Sequence, residues 1–123
     1  MAEIFQRGRT EAVHLVEEAV IKLIKDTVRA ARRRGISASC CGESAGDVDF
    51  SVLLIGLGLR TVSVTASSIP HVKRLVRSVT VEQCVRIARK ACSLDSDLAV
   101  TAYLRDQVRR ILPEAFDGRT AEL

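Results

Sequence analysis

Two short runs, residues 36–40 (Ile-Ser-Ala-Ser-Cys) and 61–64 (Thr-Val-Ser-Val), are the only stretches of this chain that read as β-strands, and what joins them limits the fold. Neither run carries a charge, as expected of parallel strands covered on both faces. The residues between them include an apolar run long enough for a helix, and such a connection suits a parallel pair. Two parallel strands alone do not make a stable sheet in water. Either the chain's helices bury them, or several chains assemble, or they belong to a larger α/β domain.

Helices supply most of the remaining pattern. Ala12, Val13, Val16, Ala19, Val20, Leu23, Ile24, Val28 and Ala31 recur at three- and four-residue steps, predicting one apolar stripe on a long helix from Glu11. Glu18 and Lys22 lie a turn apart on its wet side. Arg32, Arg33 and Arg34 complement the carbonyl end, and Gly35 allows the left-handed stop. Asp47-Val48-Asp49 offers a cap for a short apolar helix over 50–55, closed by Gly56-Leu57-Gly58.

After the second strand, Pro70 suits the first turn of a helix over 71–77, with Ser67 and Ser68 as caps and Val72, Leu75 and Val76 facing inward. A further helix from Thr80 carries Val81, Cys84, Val85, Ala88 and Cys92 on one side. A last helix from Ser96 to about Ile111 carries Leu98, Ala102, Leu104, Val108 and Ile111. Residues 1–10 read as a loose leader and 113–123 as a polar tail.

Composition narrows the function classes. Hydrophobic residues make up 47% and charged ones 28%, which suits a folded domain. With 3% aromatic residues and no tryptophan, the chain lacks the rings that single-stranded nucleic acid stacks on. The net charge of +4 arises mainly from basic residues within helical runs, as solvated faces or a phosphate-bearing substrate would require. Nucleic acid is therefore not expected as a partner, and no run is long enough for membrane insertion. Cysteines 40, 41, 84 and 92 form no CxxC pair and have no zinc-ligand spacing to His14 or His71. A cytoplasmic protein with reduced thiols is the expectation, with no metal site in this chain.

Residues 40–47, Cys-Cys-Gly-Glu-Ser-Ala-Gly-Asp, concentrate the chemistry at the carboxyl end of the first strand, where α/β enzymes usually keep it. Cys84 and Cys92 read as core thiols, and Cys40 as the core-facing neighbour of Cys41. Glu43 and Asp47 suit capping or polarising the loop, and Gly42 and Gly46 permit close backbone approach.

Residues 41–47 (Cys-Gly-Glu-Ser-Ala-Gly-Asp), 53–58 (Leu-Leu-Ile-Gly-Leu-Gly), 63–70 (Ser-Val-Thr-Ala-Ser-Ser-Ile-Pro) and 72–78 resemble, in order and spacing, the C-terminal phosphoenolpyruvate-binding barrel of Enzyme I. Enzyme I is the phosphoenolpyruvate-protein phosphotransferase of bacterial sugar-uptake systems. The resemblance covers roughly residues 18–111 and implies an α/β fold: a helix-rich partial (β/α)8 barrel, with residues 11–112 supplying the last two βα units (two parallel strands) plus C-terminal helices.

The resemblance also implies that Cys41 is the proton donor to the enolate as phosphoenolpyruvate becomes pyruvate and a protein histidine is phosphorylated. Gly42, Glu43 and Gly46 become substrate-loop candidates. The family's substrate arginines, magnesium-binding carboxylates and phosphohistidine have no counterpart here, so magnesium is expected for the whole enzyme with its ligands outside this chain. Expected partners are phosphoenolpyruvate or pyruvate and the remaining barrel and phosphohistidine domain, without which the segment should be inactive. A non-catalytic assembly or binding module derived from the same barrel, able to self-associate, is the alternative.

Overall fold

Helix α1 spans Glu18–Arg34 and stops where its last three arginines give way to Gly35, at φ 65°. The Gly35 amide donates to the Arg32 carbonyl at 3.2 Å and the Ile36 amide to Ala31 at 3.0 Å, so two terminal carbonyls are satisfied as the chain turns away. The computed structural model describes residues 17–41 and 47–112. The predicted leader, the helix residues before 17 and the polar tail lie outside them. At the front of α1 no side chain of its own caps the helix; the Glu18 amide donates to Asp97 Oδ1 at 2.8 Å, a cap borrowed from a distant part of the chain.

Strands β1 (Ser39–Cys41) and β2 (Thr61–Ser63) pair in parallel, with Ser39 opposite Thr61, Cys40 opposite Val62 and Cys41 opposite Ser63. The helix-rich α/β class and the parallel pair thus stand as predicted. Burial of the strands does not. β1 begins at Ser39, Ile36 is 65% exposed, and only Cys40 and Val62 turn toward the core. Each strand has one neighbour among the described residues, and the pleat sends alternate side chains to a face that no described helix covers.

Helix α2 (Val48–Leu57) joins the strands and forms the centre of the core. Six consecutive residues from Asp49 to Leu54 are buried, and a helix buried all round needs helices on more than one side. Those are α4 (Val81–Cys92) and α5 (Asp97–Ile111), with α3 (Ile69–Ser78) also in contact. The closest approach is at Gly56, where an added Cβ would stand 2.2 Å from the Cys84 carbonyl oxygen and 2.6 Å from Ala88 Cβ. A side chain there would push α2 and α4 apart. Gly58 ends α2 at φ 111°, with Leu59 donating to the Leu54 carbonyl at 3.0 Å.

The expected helical faces are partly rotated. On α4, Cys84 and Ala88 face α2 as expected, but Ile87 and Ala91 complete the buried side while Val81 and Cys92 are exposed, correcting Cys92 as a core thiol. The Gly56 contact selects this face. On α5 the inward residues are Val100, Thr101, Leu104 and Val108, whereas Leu98 is 69% exposed and Ala102 faces water. Thr101 is tolerated inside because its hydroxyl donates to the Asp97 carbonyl at 2.8 Å. α1 buries Ile21, Val28 and Ala31 and leaves Leu23 in water. α3 buries Val72 and Leu75, and Val76 is exposed.

Candidate functional site

The carboxyl ends of both strands lie at the same edge of the sheet, a consequence of parallel pairing. Cys41 closes β1 there as a free, exposed thiol, while Cys40 packs partly against the core. The pleat alone separates the roles of two adjacent cysteines. Burial, and then the neighbouring Cys41, push the Cys40 thiol up, which keeps it in the neutral form. Gly42, Glu43 and Gly46, the substrate-loop candidates, lie outside the described residues.

Opposite Cys41 in the register stands Ser63, and β2 leads through Thr65 into a 3-10 turn at Ala66–Ser68. Thr65 Oγ1 lies 3.3 Å from Ser67 Oγ and 3.1 Å from Ser68 Oγ. This hydroxyl cluster replaces the expected capping of α3. Ser68 is held in a helical conformation by the 3-10 turn (φ −88°, ψ −16°) and makes no cap hydrogen bond, because a capping side chain needs an extended backbone beneath it. Pro70 sits in the first turn of α3, as expected.

The connection from Cys41 returns to described structure at Asp47. Its side chain caps α2, accepting from the Asp49 amide at 3.2 Å, while its carbonyl accepts from Ser51 Oγ at 3.0 Å. Asp49 itself is the residue that the sequence reading passed over, grouping it with Asp47 as capping material. It is buried, with Arg105 Nε 3.7 Å from its Oδ2. Burial, then the Asp47 carboxylate, push the Asp49 carboxyl up to about 6, while Arg105 and Arg109 pull it back. Its partners lie on α5, so no local signal marks it.

Among the described residues, no group of three His, Cys, Asp or Glu side chains comes together to hold a metal ion. The donor set of the described residues does not fit a magnesium site. Among the same residues no helix is long and apolar enough to cross a membrane.

The family model for the PEP-binding domain of PEP-utilising enzymes matches residues 6–81, more than half of the chain. The chain belongs to the PEP-utilising enzyme family. The match takes in both strands, the Cys41 connection and α1 through α3. Individual relatives agree with it. The chain is 32% identical over 94 residues to a phosphoenolpyruvate-protein phosphotransferase of Buchnera aphidicola, covering 74% of this chain and 16% of that protein. It is 34% identical over 89 residues to a multiphosphoryl transfer protein of Escherichia coli, covering 72% of this chain and 11% of that protein. A phosphoenolpyruvate-protein phosphotransferase of Mycoplasma genitalium is 35% identical over 82 residues, covering 67% of this chain and 14% of that one. The chain therefore spans about a sixth or less of these relatives' length.

Proposed function

We propose that this chain supplies the closing βα units of a (β/α)8 barrel in a phosphoenolpyruvate-protein phosphotransferase, and that Cys41 is its proton donor. The observation that carries the reading is the divided pair: Cys40 is turned into the core, whereas Cys41 is exposed at the carboxyl end of β1, where barrels of this class do their chemistry. In the reaction the P–O bond of phosphoenolpyruvate breaks as a histidine of another domain takes the phosphoryl group. The enolate left behind accepts a proton on its methylene carbon from the Cys41 thiol, giving pyruvate, and solvent reprotonates the thiolate.

A thiol titrates near ~8.5 in the reference state, close enough to neutrality to give up a proton and regain it. Gly42, Glu43 and Gly46 shape the substrate loop in this reading. Magnesium, its ligands, the substrate arginines and the phosphohistidine come from the rest of the barrel and its partner domain, and the setting is the cytoplasm. Without those parts the segment is inactive.

The test combines the chain with the rest of a phosphoenolpyruvate-protein phosphotransferase, phosphoenolpyruvate and magnesium. Phosphotransfer should appear only in the combined sample, and Cys41→Ala should lower it by on the order of a hundredfold or more. Absence of transfer, or transfer indifferent to Cys41→Ala, overturns the assignment.

A second reading, an assembly module without catalysis, is favoured by the outer strand edges, unpaired among the described residues, and by the exposed Ile36 beside β1. It predicts self-association in sedimentation, and a monomer that unfolds cooperatively would remove it.

A further inference from the structure

The first turn of α2 holds a buried carboxylate that the proton-donor reading does not use. Asp49 is 7% exposed, and a carboxylate taken out of water needs charges or hydrogen bonds around it. α5 answers with two guanidinium groups one helical turn apart, Arg105 and Arg109, and Arg105 Nε approaches Asp49 Oδ2 to 3.7 Å. That nitrogen is itself buried without a hydrogen-bond partner, so the carboxylate compensates for the water it has lost. On the same turn of α2, the Asp47 carboxylate opposes Asp49. α4, packed along α2, brings only the apolar face of Cys84, Ile87, Ala88 and Ala91.

We propose that Asp49, held by Arg105, is a positioning residue for Cys41, fixing against α5 the start of α2 where the chain returns from the cysteine. The inference rests on the reading of Cys41 as proton donor. Cys41 is anchored on one side by β1, and the downstream anchor of its connection is the turn that contains Asp47 and Asp49. The pair joins the acidic first turn of α2 to the middle of α5, and the Asp49 charge also suits the dipole of its own helix. As a simple helix-to-helix tie the pair is a poor choice, since apolar residues of similar volume join helices at least as well. Its ionic character matters because it can be lost: with the Asp49 carboxyl near 6, acidification removes the charge that Arg105 holds.

The test uses the full chain combined with the rest of the phosphotransferase and follows deuterium entry into the pyruvate methyl group by NMR from pH 5 to 8, with thermal melts in parallel. Asp49→Asn is expected to lower kcat on the order of tenfold, the scale of a small misplacement, with KM for pyruvate changed less than about twofold. The acid limb of the wild-type profile near pH 6 should disappear in that variant, while Tm at pH 8 does not fall. Arg105→Gln should give a similar loss, and the double variant no further loss, because both changes remove one interaction. Arg105→Lys should recover most of the rate.

Wild-type rate and an unchanged acid limb in Asp49→Asn would overturn the proposal, as would independent losses that multiply in the double variant. If Asp49→Asn does not fold, the Arg105 pair of variants decides alone: equal rates in Gln and Lys overturn it. Cys41→Ala separates the two ideas. Exchange that survives Cys41→Ala defeats the proton-donor reading and this inference with it; exchange abolished by Cys41→Ala but untouched by Asp49→Asn defeats the positioning role alone.

Discussion

The helical layer and the sheet of this chain are built to opposite standards. Leu53 and Leu54 of α2 and Val100, Leu104 and Val108 of α5 have no exposed surface, whereas each strand of the sheet is three residues long and exposes two of them. Burying a leucine side chain contributes about 1.5–3 kcal/mol, so the folding free energy resides in the helices. The sheet carries the thiol and keeps both outer edges unpaired among the described residues. If Cys41 is the proton donor proposed above, stability and chemistry are separated between the two regions, and substitutions in one should leave the other largely unmoved.

The largest effect that would break this separation is expected at Leu54. Leu54→Ala should cost about 3–4 kcal/mol in denaturant unfolding, because the close approach at Gly56 limits how far α2 can settle into the cavity. A loss below about 1 kcal/mol would mean that the α2 core is looser than it stands here.

Next comes Asp49, in the first turn of the helix that follows the Cys41 connection. Its carboxyl lies at about 6 in the folded protein against an ordinary 3.8, so the folded state holds this proton more tightly than the unfolded one. The contribution of this group is therefore greatest below about pH 4, declines as pH rises to about 6 and is constant above, a difference on the order of 3 kcal/mol. Urea unfolding of wild type and Asp49→Asn, compared from pH 4 to 8, should show the variant gaining relative stability over that window. A gap between the two that does not change with pH would contradict it.

The smallest effect is expected in the sheet. Val62→Ala should cost less than about 1 kcal/mol, since Val62 is only partly buried and its cross-strand partner is Cys40. A larger loss would sharpen the comparison differently, by showing that the sheet supports the helices.

Features written into a few neighbouring residues were legible in the sequence. Gly35 and Gly58 stop their helices, Asp47 caps α2, and Thr80 with Gln83 forms a reciprocal cap on α4. Each depends on contacts within a turn or two of its own position. The parallel strand pair was legible because connection length restricts its geometry. The inward faces of α4 and α5 were only partly so, because Cys92 and Leu98 are as apolar as the residues chosen over them and the choice belongs to neighbouring helices. Strand burial failed for the same reason, as it depends on what lies beside the sheet. Asp49 was invisible as a site residue: its burial and its arginine partners come from α5, while its local setting looks like one more cap.

Three of the four cysteines give the molecule two clocks. Cys41 and Cys92 are exposed and should react with a thiol reagent at the pace of the reagent itself. Cys84 has no exposed surface and its carbonyl lies against Gly56, so its sulfur becomes reachable only when α2 and α4 part. Burial raises its thiol pKa as well, which slows it further. Counting labelled sulfurs over time would therefore record how often the helical core opens, with the fast thiols timing the dose and the slow one timing the protein.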